Sequence, residues 1–433
     1  MRIINAKLVT PGSEKLHSIM ISQEHISKIS QQDSLIQPQS EDFDACGDFL
    51  LPAMTDIHVH TRDPGFTNKE DWQTFAASCL KGGVTAACDM PNTIPNTMDQ
   101  ESIEVKRQKA AGIPIHHKFY LGVGAGNIDK VGELLENNRD ILCGLKVYYG
   151  QSTGELMYSD LEKLGDSLPN PMVGLLTFHS EDQCHIDKNQ ESFGIEKCET
   201  KESFRVHSEV RSSKAAYAST KTIIDWGAKR QVPIHIAHLS TPDEVDLIEE
   251  AKKRGQKITS EVAPHHLIFS TDDYKDLGSL IKMNPPVRSS EELKKMRECF
   301  GGHLIEVFAT DHAPHTLEEK SNQNYSQCPS GVPAVEFFTP LLLTLADELG
   351  ISLEDAVKMG ADTPAAMAGF KKRGKILPGY LADLIIVKRH KHIIKDNHIQ
   401  AKCNWSPYKG LELGYAVRAT IYKGNKVFEQ ELN

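Results

Sequence analysis

From residue 51 onward, short β-rich runs alternate with helical stretches, and this alternation limits what the chain can fold into more than any other feature. The runs are Met54–His60, Val84–Met90, Ile115–Leu121, Leu142–Tyr148, Met172–His179, Val232–Leu239, Lys257–Val262 and Leu304–Asp311. Helical stretches lie between them, among them Lys69–Leu80, Ser208–Lys229 and Thr241–Arg254, and a leucine-rich one, Pro333–Leu349, follows the last run. Such alternation marks parallel βα units. Eight strands over about 260 residues predict an α/β fold of the TIM-type (β/α)8 kind. A doubly wound open sheet is the alternative, but no Gly-x-Gly-x-x-Gly follows the first strand.

The two ends of the chain read differently. Ile3–Leu8, Ser18–Ile21 and His25–Ile29 are brief and isoleucine-rich, and strand patterns return in Ala382–Val387, Ala416–Tyr422 and Lys426–Glu429. The expectation is a small β-domain made of residues 1–50 and 371–433, set beside a barrel of residues 51–370. Of the 433 residues, 39% are hydrophobic, enough to core a barrel of that size. The formal net charge of −10, without a long basic block, argues against a nucleic-acid partner. An anionic substrate must then be drawn by local positive charge. Nine scattered cysteines without a Cys-x-x-Cys pair suit reduced thiols and a cytoplasmic location. The first residues lack the apolar core of a signal peptide, and no stretch is long and apolar enough to span a membrane.

The chemistry gathers at predicted strand ends, where a barrel places its active site. His58 and His60 close the first strand, Lys146 lies on the fourth, His179 ends the fifth, His238 the sixth and Asp311 the eighth. Singly, each has a plain reading. Lys146 could snorkel to solvent, His179 could be a hydrogen-bonded core histidine, and Asp311 could shape the turn before Pro314. His235 and His238 are three apart, so a regular strand would face them opposite ways, and at most one would be a ligand. Jointly, five donors and a lysine exceed one tetrahedral zinc site. They fit two metals if a bridge joins them. A deprotonated lysine amine that has taken up carbon dioxide is such a bridge, with one carbamate oxygen for each ion. Arg62, two residues past His60, could clamp a substrate carboxylate in two places. Its alternative is an ion pair with Asp63 or Glu70. The polar segment 312–332 reads as either a lid over the site or a surface loop, and the polar segment 182–206 as a surface excursion.

These motifs resemble the dihydroorotase family of the amidohydrolase superfamily. The resemblance is carried by Asp56-Ile-His-Val-His-Thr-Arg-Asp-Pro-Gly65, Lys69-Glu-Asp71, Gly82-Gly-Val-Thr85, Met90-Pro-Asn-Thr93, Gly144-Leu-Lys146, His235-Ile-Ala-His238, Glu261-Val-Ala-Pro-His-His266, Met283-Asn-Pro-Pro-Val-Arg288 and Thr310-Asp-His-Ala-Pro-His315. It implies two zinc ions per chain bridged by N6-carboxylated Lys146. His58, His60, Lys146 and Asp311 would hold the first ion, and Lys146, His179 and His238 the second. It implies Arg62, Asn92 and His315 as substrate-binding residues with Asn284 close by, and Glu261 and His266 near the metals. The implied reaction is reversible hydrolysis of the ring amide of dihydroorotate to N-carbamoyl-aspartate, in pyrimidine biosynthesis. A metal-bridging hydroxide would attack, and Asp311 would carry the proton. Cobalt or manganese would suit the same ligands. Allantoinase and dihydropyrimidinase or hydantoinase are the rivals within the enzyme class, and Arg62 with Asn92 argues against them. A non-catalytic partner of aspartate transcarbamoylase is the rival outside it, and the filled ligand positions argue against that. The resemblance leaves a homodimer, and association with aspartate transcarbamoylase, open.

Overall fold

The computed structural model describes residues 1–9, 15–151, 156–194 and 198–432. Eight parallel strands form one sheet in sequence order: Met54–Val59, Val84–Asp89, His116–Gly122, Leu142–Tyr148, Leu175–His179, Ile234–Ile236, Ile258–Val262 and Val307–Phe308. The ring is drawn together where Val59 bridges His312 and the His60 N–H donates to the His312 carbonyl at 2.8 Å. All eight coincide with the predicted runs. The sixth and eighth are much shorter than those runs, because their ends leave the ladder to serve the site.

Helices connect the strands and bury one face each. Pro242–Lys253 shows why they start where they do. Thr241 caps it and Glu244 answers with its own side chain, so the first turn's N–H groups are satisfied, and Pro242 sits where no N–H is needed. Phe338–Leu349 turns eight of its twelve residues inward and packs the last βα unit against the core.

The chain ends do pair. Asn425–Glu429, Glu412–Tyr422, Leu384–Ile393, Phe49–Pro52, Arg2–Leu8, Leu16–Ser22 and His25–Gln32 form a mixed sheet in that order, with Asp42–Asp44 alongside Arg2–Leu8. The seam is Phe49–Pro52, parallel to the N-terminal strand and antiparallel to Leu384–Ile393. Ile3, Ile19, Ile26, Leu50, Leu384 and Ile386 make this sheet's own apolar cluster.

Residues 195–197 of the polar segment 182–206 lie outside the described residues. Before them, Gln183–Phe193 is a helix capped by Asp182. After them, the turn Glu202–Arg205 leads into the helix Val206–Val210. All nine cysteines are unpaired. No helix among the described residues is long and apolar enough to cross a membrane.

Candidate metal centre

The strand ladder aims the site residues. Lys146 pairs with Thr177, and Tyr148 with His179. Paired residues on parallel strands share a face and alternate ones repeat it, so Lys146, Tyr148 and His179 point into the barrel mouth together. At three further positions the backbone leaves the strand with positive φ: Arg62 at 64°, His238 at 34° and Asp311 at 48°. Such conformations are costly for residues with a side chain and persist where the surroundings enforce them. His238 thereby departs from the opposite-facing arrangement expected of a regular strand. The ladder stops at Ile236, and His235 and His238 both turn toward the site.

His58, His60 and Asp311 are buried, and their ligand atoms lie within 4.8 Å of one another. Among the described residues this is the one such group of three. Asp311 Oδ1 is 3.3 Å from His58 Nε2 and 3.2 Å from His60 Nε2. Across the cavity, His179 Nδ1 faces His238 Nε2 at 3.0 Å.

The outer nitrogens of three imidazoles are held from behind. His58 Nδ1 donates to Glu261 Oε1. His60 Nδ1 donates to Asn92 Oδ1 at 2.7 Å. His179 Nε2 faces Glu181 Oε2 at 3.1 Å, and Arg211 braces the same carboxylate. Each outer bond fixes the tautomer that leaves a lone pair pointing inward, as metal-binding histidines require. His238 lacks such a partner: its Nδ1 is buried without one among the described residues.

Burial, more than any neighbour, lowers the His60 pKa to about 4 and pulls His179 down and His238 well below the ordinary range. Burial thus disfavours the charged form of these three rings. Burial alone would raise the Asp311 carboxyl, but His58, His60 and His238 together hold it well below its usual value, so it is ionised. Glu261 is also buried, and His58 and His235 keep it ionised in the same way. Lys146 is fully buried, and its Nζ has no hydrogen-bond partner among the described residues. Desolvation lowers its pKa to about 8. A buried amine without an acceptor is costly as an ammonium, and its free base can take up carbon dioxide. The donor set thus fits a divalent cation at His58, His60 and Asp311.

The cavity measures about 20 Å3 and is lined by His58, His60, Arg62, Lys146, Tyr148, His179, His238, Asn284, Asp311, Ala313, Ser330 and Gly331. Arg62 and Asn284 are therefore both among its lining residues. Arg62 is 3% exposed, and burial lowers its pKa to about 10, still charged at neutral pH. Its Nε donates to the Pro314 carbonyl at 3.0 Å, and its Nη2 lies 3.0 Å from His315 Nε2. His315 and Asn92 stand behind the lining, one on Arg62 and the other on His60. His266 donates from Nε2 to the Pro285 carbonyl at 3.0 Å.

The segment 312–332 is a strap across the cavity rather than an open loop. It carries the short helix Leu317–Lys320. Lys282 Nζ donates to the Tyr325 and Cys328 carbonyls, and Lys320 Nζ to those of Lys282 at 2.9 Å and Pro329 at 3.1 Å. Gly331 closes the strap with φ 138°, where an added Cβ would lie 2.6 Å from the Ala313 carbonyl oxygen.

Sequence reasoning missed Glu181, Arg211 and Tyr148. Glu181 stands two residues past His179 and shares its face, a signal that could have found it. Arg211 reaches in from a connection 30 residues away and left none.

Residues 49–427 match the family model described as the amidohydrolase family. A dihydroorotase of Methanosarcina mazei is 31% identical over 443 residues, covering 100% of this chain and 94% of that protein. One of Halobacterium salinarum is 33% identical over 390 residues, covering 89% and 88%. Among solved structures, the L-hydantoinase (dihydropyrimidinase) of Arthrobacter aurescens superposes with a TM-score of 0.89 at 23% identity, covering 100% of this chain and 97% of that one.

Proposed function

The chain belongs to the amidohydrolase family, and from that premise we propose that it is a dihydroorotase, opening the ring of dihydroorotate to N-carbamoyl-aspartate and closing it in reverse. The observation that carries this reading is Arg62. A buried guanidinium lines the same small cavity as the His58, His60 and Asp311 group. A cyclic amide with an exocyclic carboxylate matches that pairing of cation and metal ligands, whereas dihydrouracil and allantoin carry no such carboxylate. The full-length dihydroorotase relatives support the same assignment.

In this reading His58, His60 and Asp311 hold one divalent ion. Carboxylated Lys146, with His179 and His238, would hold a second. The bound pair supplies a Lewis acid and lowers the pKa of water toward neutrality. Arg62 holds the substrate carboxylate, with His315 placing the guanidinium and Asn284 at the cavity wall. Asn92 acts through His60 by fixing its tautomer. Asp311, ionised, would accept the proton from the attacking water and return it to the ring nitrogen as the C–N bond breaks. One water is consumed and one amide bond is lost, so the proton count balances. At about 20 Å3 the cavity holds no more than a water, so its lining would have to move to admit substrate.

The test is turnover by purified protein of dihydroorotate beside allantoin, dihydrouracil and a hydantoin, with metal content measured in the same sample. Dihydroorotate turnover with about two metal ions per chain is expected. Preference for a substrate without a carboxylate would overturn the assignment in favour of a hydantoinase-type activity, and absence of metal in a sample folded with zinc would point to a non-catalytic role.

A further inference from the structure

We propose that Tyr325, on the strap, and His207 form a positioning relay that turns the Asn284 side-chain amide into a hydrogen-bond donor toward the substrate. This inference rests on the reading above, in that the cavity receives a ligand with carbonyl or carboxylate oxygens.

The relay starts from an unambiguous acceptor. His207 is 2% exposed, and its Nε2 lies 2.9 Å from the Met283 carbonyl oxygen. A carbonyl can only accept, so Nε2 carries the proton. Burial above all, with Lys282 and Arg211 adding to it, holds His207 well below the ordinary imidazole range. The ring is therefore neutral, and Nδ1 has a lone pair. The Tyr325 hydroxyl, 2.7 Å from Nδ1, must then be the donor. On the other side, the Nε2 proton is shared with Asn284, whose facing atom is 3.0 Å away. That atom has to be the acceptor, Oδ1. The Asn284 NH2 is thereby turned away from His207, on a residue that lines the cavity.

Tyr325 is placed firmly. Its backbone carbonyl is held by Lys282 Nζ at 2.6 Å, and that ammonium lies 4.4 Å from the centre of its ring. The relay thus joins the closed strap to the orientation of one substrate-facing amide. With the Tyr325 hydroxyl gone, the Met283 carbonyl still selects the Nε2 proton, but the ring loses the bond that pins its Nδ1 side, so the Nε2–H can swing off Asn284 toward Met283 and leave the amide free to rotate and present its oxygen instead. An acceptor facing the substrate's own oxygens repels where a donor would bind.

Tyr325→Phe removes one oxygen and little else. It should raise KM for dihydroorotate about tenfold, the worth of one hydrogen bond in a buried site, with kcat within about twofold. Asn284→Ala should raise KM at least as much. The double variant should match Asn284→Ala alone, because Tyr325 acts only through Asn284. A KM for Tyr325→Phe within twofold of the parent, or additive effects in the double variant, would overturn the relay. Nitrogen-15 NMR of the zinc-loaded parent provides an arm that needs no turnover. His207 protonated at Nε2 and bare at Nδ1 supports the relay, and the opposite tautomer ends it. If the parent fails to turn over dihydroorotate, the substrate assignment falls and the NMR arm decides the relay by itself.

Discussion

Replacing Glu261 by glutamine separates a metal-orienting carboxylate from a merely structural one. Glu261 is 1% exposed and accepts three hydrogen bonds. Oε1 takes those of His58 Nδ1 and the His238 N–H, the latter at 3.3 Å, and Oε2 takes that of His235 Nε2 at 3.1 Å. Glutamine offers one acceptor oxygen and one NH2, so one imidazole must meet a donor. His235 can absorb this, because its Nδ1 lies 2.9 Å from the Thr259 hydroxyl, which can either donate or accept. His235 therefore switches tautomer, while His58 keeps its Nδ1 proton and its inward lone pair. The fold should lose about 1–3 kcal/mol, the value of a charge-assisted bond exchanged for a neutral one. The loss in metal binding should be of similar size. An uncharged partner no longer strengthens His58 as a ligand, and such outer contacts are worth about 10- to 100-fold in affinity, or roughly 1.4–2.7 kcal/mol. Zinc-buffer competition would measure the affinity, and urea titration in chelator would measure the stability without metal. Zinc affinity within twofold of the parent would refute the claim that Glu261 serves His58 as a ligand. Alanine is the poorer probe, since it strands three buried donors at once.

Three further outcomes follow from the same geometry. Incubation with carbon-13 bicarbonate and zinc should give a carbamate carbonyl resonance in the parent and none in Lys146→Ala, whose metal content should fall from about two ions to about one. A metal-replete parent without the resonance would refute the bridge. Arg62→Ala should raise KM for dihydroorotate about 10- to 100-fold, from the loss of a charged contact, and an unchanged KM would refute the clamp. Lys320 is buried against the Lys282 and Pro329 carbonyls and the Trp405 ring, and burial takes its pKa to about 7. The unfolded chain keeps that proton to about pH 10.4, so it binds more protons than the native state in between, and stability should rise with pH across that window. Lys320→Met should remove about 3 kcal/mol of the rise between pH 7 and 9.5, and an unchanged slope in urea titrations would refute the assignment.

The barrel was legible because its signal is local. A buried parallel strand is a short apolar run, and each of the eight reports itself without help from the others. Strand ends are equally local, which is why the six ligand candidates and Arg62 fell together. What the strands could not report is where the ladder stops. Nothing in His235-Ile-Ala-His238 announces that the ladder ends at Ile236 or that His238 takes φ 34°. Period-2 reasoning therefore set the two histidines on opposite faces, whereas the break brings both inward. The strap is a different case. Its polar composition suits a lid and a surface loop alike, and the contacts that tie it down, from Lys282 and Lys320 onto backbone carbonyls, carry no sequence signature.

Asn92 marks the boundary between these two kinds of information. Sequence placed it at the site, and the structure keeps it there, but on His60 and not among the cavity-lining residues. Its neighbour in space lies 32 positions away, a distance at which residue type can suggest chemistry but not a contact. The same holds for Glu181, whose partner Arg211 lies 30 positions away and pulls the carboxylate's pKa down against the effect of burial. A ligand's identity is thus written in the strand that bears it, while its tautomer is set by a group from another element. Metal affinity depends on both, so a chain that kept His58, His60, His179 and Asp311 but lost Glu261, Asn92 or Glu181 would still read as a metal enzyme while binding metal weakly.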